Sequence, residues 1–297
     1  HLEQYRHATR MPEEYWNEGL RRDPDESRIR NALGLWHLRR GEFETAAKNF
    51  QAAIARLTAL NPNPRDGEAY YSLGLAYRYQ DKSKDAYDSF YKATWNAAWR
   101  APAFLALAEF DATRQDWHRA VDHLQRSLRA DADNLNACNL LSIVLRRLRD
   151  ITAADRALEE LLTVDPLDIG ARWQKGIAPA TGQECLDLAF DLMRAGLYQE
   201  ARNVLKAADV SARDGSVPMI LLALAHVEEK LQDSTASQTL DRATSSCVDY
   251  CFPSRLEEMV ILEWALAKTP AMWLPSYLLG NLLYDKRRYE EAILHWE

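Results

Sequence analysis

A period of 34 residues constrains this chain more than any other feature. It is clearest between Gly67 and Arg100. Tyr70, Leu73, Gly74 and Tyr77 fall at steps of three, one and three, which makes one stripe of a helix. Asp81 to Lys84 are polar and supply a turn. Ala86, Phe90 and Ala93, at steps of four and three, make the matching stripe of a second helix. Gly74 and Ala86 are small where the two axes approach most closely, and Phe90 is the large knob between Ala86 and Ala93. With Gly67 at position 1, the same frame begun at Ala101 places Phe104, Leu107, Ala108, Ala120, Leu124 and Ser127. Begun at Leu135 it places Cys138, Leu141, Ser142, Ala154, Leu158 and Leu161, with Pro166 at position 32. The starts 67, 101 and 135 are each 34 apart, and a start at Ser27 gives Leu33, Gly34, His37, Ala46, Phe50 and Ala53. Neither helix of such a unit buries its stripe alone, so the units must stack.

The rest of the chain reads as variations on this unit. Residues 1–11 carry little periodicity and read as an entry linker, and 12–24 as the second helix of an incomplete repeat. The unit at 27–66 is about six residues longer than the others and ends in a proline-punctuated connector, NPNPRDG. After Pro166 the register breaks, and 169–181 reads as a short helix and a linker. The frame resumes near Gly182 with Leu188, Ala189, Ala201, Leu205 and Ala208, degenerates over 217–246, and returns from Trp273 with Leu279, Gly280, Ala292 and Trp296. Helix pairs are thus expected at about 27–60, 67–97, 101–130, 135–164, 182–208, 217–246 and 254–296. The corresponding organisation is 1–26 linker and partial repeat, 27–168 regular array, 169–181 irregular linker and 182–297 degenerate repeats. No alternating period-two run appears, so essentially no sheet is expected.

The frame resembles the tetratricopeptide repeat, whose period is also 34. The resemblance implies an all-α, right-handed superhelical solenoid of stacked antiparallel helix pairs, with first helices lining a concave face. First-helix positions 2, 5, 9, 12 and 13 would face that groove. They supply Asn31, Arg39, Tyr71, Arg78, Tyr79, Glu109, Asn136, Asn139 and Arg146, a mixture of amides, arginines and tyrosines suited to polar recognition with aromatic anchors. A protein or peptide partner is therefore expected there, in trans or as another domain of the same chain; the competing reading is a solvated groove without a ligand. One known mode in this family clamps a C-terminal carboxylate with Lys and Asn at positions 5 and 9. Here those positions hold Asn31 and Leu35, Tyr71 and Leu75, Leu105 and Glu109, and Asn139 and Ile143, so that clamp is missing. Trp95 and Trp99, at the junction after position 27, form a secondary aromatic candidate, weighed against inter-repeat packing.

The blocks HLEQYRHATR, NPNPRDGEAYYSLGLAYR, DAYDSFYKATWNAAWR, RADADNLNACNLLSIVLRRL and GNLLYDKRRYEEAILHWE are similar to the repeat region of large bacterial proteins carrying a DUF5107 domain. That resemblance implies a bacterial cytoplasmic scaffold attached to a β-rich, carbohydrate-active type of domain absent from this sequence. Because the chain starts at His1 and stops within a helical pattern, it is expected to be a piece of a longer protein.

Chemistry is sparsely signalled. There is no Gly-rich phosphate loop, H-E-x-x-H, serine elbow or cysteine quartet. His118 and His123 lie about 140° apart around one helix and do not easily share a metal. His37 reads as a core histidine, and Glu109 and Asp111 as solvated acids. Cys138 and Cys185 read as small buried thiols, while Cys247 and Cys251 lack further ligands for zinc. No catalytic residue, cofactor or metal is assigned, and the fragment is read as non-enzymatic. The net charge of −7 argues against a nucleic-acid or membrane-surface binder. The basic clusters Arg21–Arg22, Arg146–Arg147–Arg149 and Arg287–Arg288 are explained by helix C-termini. No apolar run is long enough to span a membrane, and thiol usage fits a reducing, cytoplasmic setting. Oligomerisation is left open. The alternative function is an accessory module of a carbohydrate-active enzyme, lending aromatic residues to a sugar site or to dimerisation.

Overall fold

The computed structural model describes residues 12–62, 64, 66–210 and 215–297. The entry linker at 1–11, and Asn63 and Arg65 of the predicted connector, lie outside the described residues. Those described form seventeen helices and no strand. In chain order they are α1 (Pro12–Arg22), α2 (Ser27–Arg39), α3 (Phe43–Thr58), α4 (Glu68–Tyr79), α5 (Ser83–Ala93), α6 (Ala97–Thr113), α7 (Trp117–Ala130), α8 (Leu135–Arg147) and α9 (Ile151–Val164). Then come α10 (Ile169–Gln174), α11 (Gly182–Arg194), α12 (Tyr198–Ala207), α13 (Val217–Lys230), α14 (Ala236–Thr244), α15 (Leu256–Lys268), α16 (Trp273–Asp285) and α17 (Tyr289–Trp296).

One turn geometry closes the helix pairs. Position 15 of the frame is left-handed at Gly41 (φ 76°), Asp81 (56°), Gln115 (59°), Arg149 (64°), Gly196 (69°) and Arg287 (60°). The next amide donates back across the turn: Lys82 to the Tyr77 carbonyl (3.0 Å), Asp116 to Asp111 (2.9 Å), Asp150 to Leu145 (3.0 Å) and Leu197 to Leu192 (2.9 Å). This bond satisfies a carbonyl that the helix end would otherwise orphan, and reverses the chain in three residues. Four of these six positions are not glycine, so each such turn carries about 1 kcal/mol of left-handed strain that packing must offset. Gln232 (φ 57°) makes the same turn after α13, but α14 starts at Ala236, two positions later in the frame than the other second helices. That offset is why 217–246 reads as degenerate: Thr239, Leu240 and Ala243 take the inward positions instead.

Contacts divide the chain into two compact units, residues up to Ala106 and from Leu107 onward, with the boundary in the sequence of α6. In the first unit α2 pairs with α3 and α4 with α5, and α4 stacks on α3. Phe50 and Phe90 are fully buried, each against the glycine sixteen residues before it, Gly34 and Gly74. In the second unit α8 pairs with α9, α11 with α12, α13 with α14 and α16 with α17. Leu124, Leu158 and Leu205 take the phenylalanine's place in the frame there, sixteen residues after Ala108, Ser142 and Ala189 rather than after glycine, and all six are buried. α13 is buried at every residue from Val217 to Glu228, which makes it the central helix of that unit.

Two local expectations change. α6 begins at Ala97 rather than 101, so Trp99 lies on the helix and not at a junction, and Pro102 falls inside it. Glu109 and Asp111 are not solvated: they are 8% and 0% exposed. Asp111 takes a hydrogen bond of 2.6 Å with His123 Nδ1 on α7, and Glu109 faces Arg194.

Candidate protein-interaction surface

In the first unit the sequence-predicted groove candidates are largely engaged within their own or the neighbouring repeat. Asn31 is 9% exposed and donates from Nδ2 to Glu68 at 2.5 Å. Tyr71 is half-buried and stacks on Trp99 with centroids 4.9 Å apart and planes at 27°. Tyr79 stacks on Phe43 at 4.8 Å and 13°. Arg78 lies 5.2 Å over the Phe90 ring and donates from Nη2 to the Ala106 carbonyl at 3.3 Å. Arg39 is exposed. Of the tryptophans, Trp99 is consumed by the stack on Tyr71, whereas Trp95 is 50% exposed with the Lys92 ammonium 4.0 Å above its ring.

In the second unit the register break builds a cleft. α10 is a single six-residue helix docked on α8 by polar ties. Asn139 donates to Asp168 Oδ1 (2.8 Å), Ser142 donates to Gln174 Oε1 (2.8 Å), and Gln174 Nε2 donates to the Asn139 carbonyl (3.3 Å). Gly170 permits the close approach, since a Cβ there would stand 2.8 Å from the Asn139 amide. Asn139 is therefore a tie between helices, while Asn136 is exposed. With α10 pinned and its partner helix absent, a space of about 390 Å³ remains between Ile143, Arg146 and Arg147 of α8, Trp173 and Gln174 of α10, Leu192 of α11 and Glu200 of α12.

This cleft combines an apolar floor with a charged rim. Ile143, Trp173 and Leu192 give the floor. Arg146 donates from Nη2 to Asp155 Oδ1 at 2.6 Å, and Arg147 pairs with Glu200 Oε1. The Arg146–Asp155 pair is solvent-accessible and contributes little to stability, at about 0–1 kcal/mol, so an incoming carboxylate can exchange with it at small cost. Each guanidinium offers five donors, which suits planar bidentate recognition of a carboxylate. The second Glu200 oxygen, Oε2, is buried without a hydrogen-bond partner among the described residues.

Elsewhere the polar side chains serve the fold. Cys138 is half-buried and Cys185 buried, and burial, reinforced by nearby carboxylates, pushes the Cys138 thiol up, which disfavours the nucleophilic thiolate. Among the described residues no group of three or more His, Cys, Asp or Glu side chains is placed to hold a metal ion. No helix described is long and apolar enough to cross a membrane. Sequence reasoning singled out Arg146 but not Trp173, Arg147 or Leu192. The break at 169–181 was the available signal, because a solenoid opens where one helix of a pair is missing.

The repeats find a match among known families. Residues 13–57 and 37–102 match the model of the tetratricopeptide repeat. Among solved structures, the chain is similar to a tetratricopeptide repeat protein from Parabacteroides merdae, at 15% identity and a TM-score of 0.44, over 91% of this chain and 98% of that one. It is also similar to the C-terminal part of a TPR repeat-containing protein from Cytophaga hutchinsonii, at 11% identity and a TM-score of 0.46, over 87% and 90%. A third is YrrB, described as a TPR protein with an unusual peptide-binding site, at 14% identity and a TM-score of 0.44, over 77% and 99%.

Proposed function

We propose that this chain, whose repeats over residues 13–102 are tetratricopeptide repeats, is a non-enzymatic scaffold that holds a protein or peptide partner. Its anchoring point in the second unit is the cleft at the register break. The observation that carries this reading is the juxtaposition of Trp173, Ile143 and Leu192 with two arginines around about 390 Å³ of open space. That volume takes one large apolar side chain, and the rim takes a carboxylate beside it. Aromatic and arginine side chains together are the usual carriers of binding energy at interfaces. The partner segment is thus a peptide with an acidic residue next to a large apolar one. The resemblance of several blocks to the repeats of DUF5107-domain proteins supports a partner in cis, a further domain of the same chain, as one source of that segment.

The first-unit candidates contribute less, since Tyr71 and Tyr79 are stacked on Trp99 and Phe43. For the sugar-site alternative, Trp99 is packed on Tyr71 and Lys92 covers one face of Trp95, so these two tryptophans present less open ring surface than their place in the sequence suggests. The test is selection of displayed random peptides on the intact protein, followed by affinity measurement against Arg146→Ala/Trp173→Ala. The selected peptides should be enriched in an acidic residue beside Leu, Phe or Trp, and should bind the folded double variant at least ~10-fold more weakly. Equal affinity for the folded variant refutes the cleft as the anchor.

A further inference from the structure

In the second unit, α11, α12 and α15 each carry a glutamate three residues after the N-cap: Glu184 after Thr181, Glu200 after Leu197 and Glu258 after Arg255. At that position the side chain ordinarily turns back onto the amides of its own helix start. Two of the three do so. Glu184 accepts from the Ala180 amide at 2.7 Å, and Glu258 accepts from the Ser254 and Arg255 amides at 2.7 and 2.8 Å. Glu200 turns away instead. Its Oε1 takes Arg147 at the end of α8, 53 residues earlier in the chain, and its Oε2 is buried without a hydrogen-bond partner among the described residues. The positive end of α12 explains an acid at this position but not its departure from that end. Both Glu200 and Arg147 line the cleft at the register break. The turn that carries Glu200 is seated: a Cβ on Gly196 would stand 2.9 Å from the Thr113 Cα. A ligand that reaches Arg147 therefore displaces the Glu200 side chain and not the helix.

We propose that Glu200 is a resident stand-in for the partner's acidic residue: it holds Arg147 in the free protein, and a ligand carboxylate takes that guanidinium by sending Glu200 out to water. This rests on the cleft being the binding site. A half-buried ion pair is favourable only where its remaining lone pairs find donors, and Oε2 finds none. On release both oxygens are hydrated, so binding exchanges one salt bridge for another and relieves the orphaned oxygen. The stand-in also sets a threshold. Glu200 is tethered beside Arg147 and so competes at a high effective concentration. A carboxylate alone gains nothing there that Glu200 does not already supply. Only a segment that also fills the space over Ile143, Trp173 and Leu192 displaces it, so the cleft selects for the acidic and the apolar residue together.

The experiment runs the displayed-peptide selection in parallel on the intact wild-type chain and on Glu200→Gln, then measures the selected peptides against both and against Asp155→Asn. Glu200 caps no amide of α12, so its isostere keeps the helix start, and Glu200→Ala serves as a second variant. Acidic–apolar peptides should bind Glu200→Gln about 3- to 10-fold more tightly than wild type. Asp155→Asn removes the same charge from a pair open to water and should gain less. Peptides whose acidic residue is changed to Gln should show no gain. Peptides obtained on Glu200→Gln but not on wild type also support the stand-in. Equal affinity for wild type and Glu200→Gln overturns it, and so does a gain no larger than that of Asp155→Asn, which belongs to net charge alone. Weakening by Arg146→Ala/Trp173→Ala without a gain in Glu200→Gln sinks the stand-in and leaves the cleft as the anchor. Indifference to every one of these changes, or no peptide on either protein, sinks both.

Discussion

The Cα of Gly74 faces the ring of Phe90, and a Cβ at that position would stand 2.7 Å from Cε1 and 2.8 Å from Cδ1. The same relation joins Gly34 to Phe50 and Gly280 to Trp296. Where position 8 is Ala108, Ser142 or Ala189, the residue sixteen positions on is Leu124, Leu158 or Leu205, and all six are buried. The two positions share one volume, filled either by glycine and an aromatic ring or by a small side chain and leucine. Gly74→Ala alone should therefore destabilise by about 1–3 kcal/mol through overpacking, and Phe90→Leu alone by about 1–2 kcal/mol through the cavity it leaves. The double variant recreates the pair seen at 108 and 124 and should recover most of the loss. The check is a double-mutant cycle by urea denaturation, in which additive losses contradict the shared-volume account.

Gly74→Leu should cost more than Gly41→Ala. The first drives a branched side chain into the buried Phe90 ring, at about 3 kcal/mol or more. The second only places an L-residue at φ 76°, where Asp81, Gln115 and Arg149 already sit in other repeats, at about 1 kcal/mol. Melting temperatures of the two variants give the order directly.

His226 supplies an acid-labile contribution to stability. Its Nδ1 is buried without a hydrogen-bond partner among the described residues, and its ring meets Trp264 edge-on at 4.8 Å. Burial, aided by Lys230, holds its pKa down at about 4, against 6.5 when unfolded. The unfolded chain thus binds the proton more readily. The stability this group contributes is complete above about 6.5 and falls away toward 4, by on the order of 2 kcal/mol between pH 7.5 and 5. His226→Phe keeps a ring against Trp264 and should flatten that part of the profile; an unchanged pH dependence of the urea midpoint would show that His226 does not carry it.

Asp111→Ala should be among the costlier single changes outside the apolar core. It strips a fully buried acid from His123, 6% exposed, and leaves a polar ring facing a cavity. A loss of about 1–3 kcal/mol is expected, measurable by thermal melting, whereas Asp116→Ala removes a helix cap and an exposed ion pair with Arg119 and should cost about 1 kcal/mol.

What the sequence revealed was what repeats in it. Position 8 against position 24 and the short helix after Pro166 follow from a frame of fixed period and local propensity. The left-handed turns at Asp81, Gln115, Arg149 and Arg287 were less visible, because no glycine marks them. The ion pairs of Arg194 with Glu109 and Glu257 were invisible, because their members lie 85 and 63 residues apart and only the packing of three helices brings them together. Glu109 was read as a groove residue or a solvated acid for the same reason: its partner is far along the chain. Tyr71 and Tyr79 were placed correctly on first helices, but periodicity does not tell whether an aromatic ring at position 5 or 13 faces a ligand or the next helix, and here Trp99 and Phe43 are close enough to take them.

The most direct test of the scaffold reading is hydrogen exchange of the intact protein with and without a selected acidic–apolar peptide. Protection on binding should concentrate at the end of α8 around Ile143–Arg147, in α10 at Trp173 and Gln174, and in α11 near Leu192, the elements that line the cleft. Protection confined to other helices, with these amides unchanged at saturating peptide, would contradict it.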